Sequence, residues 1–315
     1  MTDFRLLSLN WNVGPAKGPY DEPEETVPAR VPGAVQLDWA RAHGWPDHNF
    51  GDNFKDYRWM EDRHWLYRAE LPEPDLADGE RLYFTCAGID YAFQVRVDGA
   101  VLLEQEGMFT PVELDVTDHA GGVLEVLVLP APKSHHEKDN RDQANQSCKP
   151  AVSYGWDFHP RLVPLGICNE ARVEVRPAGH LRDAELAYEL DEDLAGADLR
   201  LQLRPTPEYH GTARWTLQAP NGTEALTREC ELDGTDAVIA ARLEEPELWW
   251  PNGQGEQAQY GSRVELLDES GRVLQEVSFR SGLRRVRMVM AEGTWNDPPD
   301  WPAPTTWPKP RSTPP

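Results

Sequence analysis

The chain has 315 residues, enough for two domains with cores of their own at about 100–200 residues each. A net charge of −23 and a sequence pI near 4.7 repel phosphate backbones and anionic membrane surfaces, which excludes nucleic acid and lipid headgroups as leading partners. No run of about 18 apolar residues occurs, and Met1 to Trp11 lacks the basic start, apolar stretch and small-residue site of a signal peptide, so a cytoplasmic protein without a membrane span is predicted.

Along the chain, apolar residues alternate in short runs between turn residues, the pattern of half-buried strands. The exception comes early. Val35, Leu37, Trp39 and Ala40 fall in a run to His43 that closes on Gly44 in a C-terminal cap position, which predicts one short surface helix. Strands are then predicted at Leu82 to Cys86, and at Phe93 to Val97 and Val101 to Leu103. The last two are joined as a hairpin by Asp98-Gly99, a pair that accepts the positive φ angles of a tight turn. Val123 to Leu129 and Arg172 to Arg176 complete an all-β first domain. Between Pro130 and Tyr154 the pattern lapses into a polar loop, Ser134 to Asp142, whose length marks it as functional or mobile.

Beyond Pro177-Ala178-Gly179-His180 a second set of strands is predicted at Leu199 to Leu203, Trp215 to Ala219, Val238 to Leu243, Ser262 to Leu267 and Val273 to Phe279. Turn signals stand at Pro220-Asn221-Gly222 and Glu269-Ser270-Gly271, and the spacing predicts an immunoglobulin-like sandwich. The last 25 residues hold eight prolines and the tryptophans Trp295, Trp301 and Trp307. Proline removes backbone donors and fixes φ, so this tail reads as an extended, partly disordered linker.

Cys86, Cys148, Cys168 and Cys230 are spread singly without zinc-ligand spacing and are predicted to be buried free thiols. His135-His136 with Glu137 invites a metal reading, but adjacent histidines chelate less well than a pair at i and i+4 on a helix, and a polar loop is the better expectation. No cofactor and no metal ion is predicted.

Ser153-Tyr154-Gly155-Trp156-Asp157-Phe158-His159-Pro160-Arg161, with Gly166-Ile167 behind it, resembles a segment of family 2 glycoside hydrolases of the β-mannosidase type. Other segments resemble that family in the same order: Val31-Pro32-Gly33-Ala34, Asp62 to Arg68, Ala87 to Ala92, Val97-Asp98-Gly99 and Gly107 to Pro111. Leu248-Trp249-Trp250-Pro251-Asn252-Gly253-Gln254-Gly255 with Tyr260, then Gly282 to Val286, resembles its immunoglobulin-like domain. The resemblance implies a galactose-binding-like jelly roll over 1–179, an immunoglobulin-like β-sandwich over 180–287 and a linker over 288–315. In the family that linker leads into a (β/α)8 barrel carrying the acid/base and nucleophile glutamates, whereas this sequence finishes at Arg311 to Pro315. Phe158, where many members have tryptophan, and Cys168, where an aromatic is usual, are further departures.

Retaining glycoside hydrolysis needs two carboxyl groups about 5–5.5 Å apart, and the chain has no βαβα pattern on which a barrel would mount them. Alone it is predicted to be inactive. By resemblance Asp157 helps to hold a terminal sugar, with Trp156 as an apolar face and Arg141 as a further substrate-binding candidate; Lys149 is weighed beside Arg141. The alternatives are that Trp156 is a core aromatic, that Asp157 bonds Arg161 or a backbone donor, and that Arg141 and Lys149 are solvated loop cations. Trp249, Trp250 and Tyr260 are expected to pack the second sandwich or its contact with a neighbour. The implied partners are a β-linked, mannoside-like saccharide in a complete enzyme and a barrel on the same or another polypeptide. A free-standing carbohydrate-binding module and a structural or assembly subunit are the other readings.

Overall fold

The computed structural model describes residues 4–134, 140–145 and 147–287, and among these every strand ladder is antiparallel. In the first half lie β1 (Arg5–Leu7), β2 (Trp11–Ala16), β3 (Val27–Ala29), α1 (Val35–Ala42), β4 (His64–Glu70) and β5 (Glu80–Cys86). They are followed by β6 (Ala92–Val97), β7 (Ala100–Glu106), β8 (Val112–Asp115), β9 (Val123–Val128) and β10 (Ala171–Pro177). A six-stranded sheet, β3-β2-β4-β9-β6-β7, packs on a four-stranded sheet, β1-β10-β5-β8. Side chains alternate across a strand, so Trp65, Tyr67 and Ala69 of β4 and Leu124, Val126 and Val128 of β9 enter one core with Trp11, Phe84 and Phe93. The β6–β7 turn has Asp98 at φ 48° and Gly99 at φ 79°, the left-handed pair that an Asp-Gly hairpin requires.

The opposite face of the six-stranded sheet is covered by chain. Residues 17–26 cross it as a strap: Glu22 pairs with Arg68, the Arg96 guanidinium lies 5.4 Å from the Tyr20 ring centroid, and Arg96 and Glu125 are buried.

The early helix exists, and its end matches its sequence. Gly44 takes φ 64°, its N–H bonds to the Arg41 carbonyl, and the Trp45 N–H reaches back to Ala40, the paired bonds of a Schellman cap. It is not a surface helix, however, because Val35, Trp39 and Ala40 join the core while Leu37 points outward. A 3-10 helix at Asn53–Asp62, unanticipated from sequence, buries Tyr57, Met60 and Glu61.

In the second half run β11 (Leu181–Leu190), β12 (Gly196–Pro205), β13 (His210–Gln218), β14 (Glu224–Asp233), β15 (Ala237–Glu244), β16 (Tyr260–Leu267) and β17 (Val273–Ser281). The sheets β11-β12-β15 and β14-β13-β16-β17 enclose a second core, in which Leu199, Leu201 and Leu203 meet Trp215, Leu217, Val264 and Leu266. Tyr260 belongs to this core; Trp249 is half-buried against Gly282, and Trp250 is exposed. Between the cores, His180 donates its backbone N–H to the Thr206 hydroxyl, and its ring sits edge-on to Phe4 and Tyr83.

Two expectations about loops and thiols change. Of the four free cysteines only Cys86 is fully buried; Cys148 and Cys168 are exposed and Cys230 is intermediate. The 130–154 stretch carries 3-10 turns at Arg141–Ala144 and Ala151–Tyr154. His135, His136, Glu137 and the 288–315 tail lie outside the described residues, among which no helix is long and apolar enough to cross a membrane.

Candidate functional site

The segment that carries the sequence resemblance is a loop between β9 and β10, and its base is held by buried charge. Arg161 grips Glu61 of the 3-10 helix with Nη2 at 2.7 Å and Nε at 3.0 Å from Oε1, and the Lys133 ammonium reaches the same carboxylate oxygen at 2.7 Å. A second buried pair joins Lys149 Nζ to Asp90 Oδ1 at 2.6 Å, and the same ammonium donates to the Pro164 carbonyl at 2.7 Å. Burial draws the Lys149 ammonium below its ordinary value and raises the Asp90 carboxyl, while their contact opposes both shifts. Two phenols complete the anchoring: Tyr154 donates to the Pro132 carbonyl at 2.6 Å, and Tyr91 accepts the Cys148 N–H at 3.0 Å.

On this base the chain makes a tight excursion. Gly155 adopts φ 111°, a conformation that disfavours a Cβ, and the Trp156 N–H donates to the His159 carbonyl at 2.9 Å. The three residues between the anchor points are therefore turned outward. Trp156 is 42% and Phe158 76% exposed, with ring centroids 6.0 Å apart, and the Arg141 guanidinium stacks 3.8 Å from the Trp156 ring centroid. Asp157 is exposed between the two aromatics and has no hydrogen-bond or ion-pair partner among the described residues.

The structure thus gathers Arg141 and Trp156 into one stacked unit beside Asp157. Trp156 is not a core aromatic, and Arg161 is committed to Glu61 rather than to Asp157. Lys149 is neither a sugar contact nor a solvated cation, because its side chain is fully buried in the pair with Asp90. Sequence reasoning missed Glu61, Asp90 and Lys133. Glu61 meets Arg161 across 100 positions, and no local pattern marks such a partner.

Chemically, the tip offers one free carboxylate, an indole face shielded on one side by a guanidinium, and a further exposed ring. A carboxylate accepts hydroxyl hydrogen bonds strongly, and an indole packs against C–H faces. Among the described residues the carboxylates at the base of the loop, Glu61 and Asp90, are buried and paired, and Asp157 is the acid between the two exposed aromatics. Among the described residues no group of three or more His, Cys, Asp or Glu side chains is placed to hold a metal ion.

Comparison with known proteins agrees with this architecture. Residues 11–169 match the family described as glycosyl hydrolase 2 galactose-binding domain-like, and residues 179–284 match glycosyl hydrolases family 2. Beta-mannosidase B of Emericella nidulans is 30% identical over 306 residues, covering 90% of this chain and 36% of that protein. Its counterpart in Aspergillus clavatus is 29% identical, covering 90% and 35%. This chain therefore spans about a third of the length of the curated relatives it matches. Among solved structures, the beta-D-mannosidase of Dictyoglomus thermophilum superposes with a TM-score of 0.75 at 24% identity, over 90% of this chain and 36% of that one. The exo-chitosanase of Amycolatopsis orientalis superposes with a TM-score of 0.64 at 18% identity, over 91% and 34%. At these identities the superpositions speak to the fold.

Proposed function

The chain belongs to glycosyl hydrolase family 2, and on that premise we propose that it is the non-catalytic, sugar-positioning part of a β-mannosidase-like enzyme. In this reading the unit 1–179 carries a half-site of Asp157, Trp156 and Arg141, and the unit 180–287 braces it. A (β/α)8 barrel outside the described residues supplies the paired glutamates. Asp157 accepts two hydroxyls of a terminal β-linked, mannoside-like sugar, Trp156 lies along its apolar edge, and Arg141 fixes the indole while offering donors of its own. The two relatives named beta-mannosidase B support the substrate class.

One observation carries this reading: a carboxylate without a partner among the described residues, exposed at the tip of a loop whose base is bolted down by two buried ion pairs. The charge at the base is buried and paired, while Asp157 at the tip is left to solvent. That arrangement suits a group kept ready for a ligand, because rigid elements hold binding groups in place at low entropic cost.

The test is saturation-transfer NMR on the 315-residue chain with methyl β-mannoside. Weak binding that disappears in Asp157→Ala supports the assignment, and binding unchanged by that substitution overturns it. The same protein should not turn over aryl β-mannosides; hydrolysis that persists through repurification would overturn the non-catalytic role.

A further inference from the structure

A cleft of about 590 Å³ opens between the 17–26 strap and the 3-10 helix at Asn53–Asp62. Trp59, 37% exposed, lines it beside Trp39. Trp59 is fixed from behind, tilted against Trp65 with centroids 5.9 Å apart and edge-on to Trp39 at 6.0 Å. An indole braced by two others and left part-open to a cleft is a preformed platform that loses little entropy when something stacks on it.

Around the platform Lys17 pairs with Glu24 at 2.7 Å and Glu22 with Arg68, while Glu25 faces the His43 Nε2 at 3.2 Å, a contact that is an ion pair only when the imidazole is protonated. Two lining residues are left over: Asp21 and Arg63 are exposed, and neither side chain has a hydrogen bond or ion pair among the described residues. The lining side chains without a hydrogen bond or ion pair among the described residues are thus one anionic acceptor and one cationic donor, beside an aromatic wall. A cation would find Glu22 and Glu24 already paired, and an anion would meet Asp21. A neutral polyol, with C–H faces for the indole and hydroxyls for both charged groups, uses all three.

We propose that this cleft is a second saccharide-binding site on the first sandwich, taking a neutral mono- or disaccharide unit against Trp59 with Asp21 and Arg63 as its polar contacts. Its size lies in the range of about 300–1,000 Å³ usual for small-ligand sites. The inference rests on the reading that this domain handles saccharides. It goes beyond that reading in placing a sugar away from Asp157, at a site through which a longer glycan or a polysaccharide surface would be retained.

The experiment is a titration of the 315-residue chain with β-1,4-mannobiose and cellobiose, followed by tryptophan fluorescence and calorimetry. It is run on wild type, Asp157→Ala, Arg63→Ala, Asp21→Asn and Trp59→Ala. In the Asp157→Ala background the cleft should still bind at least one of the two disaccharides, and Arg63→Ala or Asp21→Asn should weaken that binding about tenfold. These two exposed positions keep the test meaningful if Trp59→Ala disturbs the tryptophan cluster. No disaccharide binding once Asp157 is removed, or binding indifferent to both Arg63 and Asp21, overturns the second site and leaves the Asp157 half-site standing. Loss of one binding event to Asp157→Ala and of another to Arg63→Ala supports both. Binding of spermidine in place of either sugar overturns the assignment of ligand class.

Discussion

Arg161 and Glu61 are joined by a forked contact, with Nη2 to Oε1 at 2.7 Å and Nε to Oε2 at 3.2 Å, and both side chains are almost entirely buried. The pair ties the root of the Trp156 loop to the 3-10 helix that carries Trp59, so one interaction supports both candidate sugar sites. Removing one partner from a buried pair leaves the other charge unpaired, at a cost of about 3–5 kcal/mol. Because Lys133 still holds Glu61, Arg161→Met should lower stability in urea denaturation by less than that range. Pairing Arg161→Met with Glu61→Leu should recover part of the loss, giving a coupling energy in the double-mutant cycle. Additive effects of the two substitutions would show that the pair is not an energetic unit.

Arg141 presents the opposite case. Its guanidinium lies over the Trp156 ring while half of its side chain remains in solvent, and a cation–π contact so exposed contributes about 0.5–1 kcal/mol. Arg141→Ala should therefore leave the urea midpoint almost unchanged while altering Trp156 emission and its quenching by acrylamide. Arg141→Lys should restore less of the wild-type signal than a conservative exchange implies, because an ammonium does not stack as a planar group does. An unchanged emission spectrum in Arg141→Ala would mean that the two groups do not associate in solution.

Much of the fold was legible because local chemistry and tertiary structure agree. Asp98-Gly99 encodes its own turn, Gly44 its cap, and the Leu199, Leu201, Leu203 alternation its buried face. Edge strands were harder to see. β11 and β14 each pair on one side only, and β14 buries just Leu226 and Leu232, so little periodicity is imposed on its sequence. The site was legible only where a motif named it. The SYGWDFHPR stretch located the tip, but whether Lys149 would be solvated or buried depended on Asp90, 59 positions away. Trp59 carried no signal at all, since the cleft it lines is completed by residues 15–25, an unrelated part of the chain.

His180 makes the contact between the two cores sensitive to acid. Its Nδ1 lies 2.8 Å from the Pro177 carbonyl, its Nε2 is buried without a partner among the described residues, and the Arg176 guanidinium is nearby. Desolvation, with Arg176 adding to it, holds the imidazole below the ordinary histidine value of 6.5 despite the opposing Pro177 contact. His64 is lowered in the same way, by burial first and by Arg96 second. For a group depressed in the folded state, the unfolded chain binds more protons. The stabilisation is therefore complete above 6.5 and is lost as pH falls through the folded value. Urea midpoints should decline on acidification below that point, and His180→Asn should flatten the decline. A slope unaffected by this substitution would assign the effect to other groups.

Gly14 offers a test of the strap itself. It sits in β2 with an ordinary backbone conformation, so its requirement for glycine is purely one of space: a Cβ there would stand 2.2 Å from the Glu25 carbonyl oxygen and 2.7 Å from the Pro23 Cβ. Backbone cannot yield as a long side chain does, and the strap must lift. Gly14→Ala should destabilise the protein by about 1–3 kcal/mol, the usual range for overpacking. It should also open residues 17–26 to limited proteolysis, because the Glu22 contact with Arg68 and the Tyr20 contact with Arg96 depend on the strap lying flat. Since Asp21 rides on the same segment, the substitution should weaken disaccharide binding at the Trp59 cleft while sparing the half-site at Asp157. That separation is what distinguishes a strap that builds a binding surface from one that merely covers a sheet: if cleavage within 17–26 rises and sugar binding at the cleft stays at its wild-type level, Asp21 does not contact the ligand.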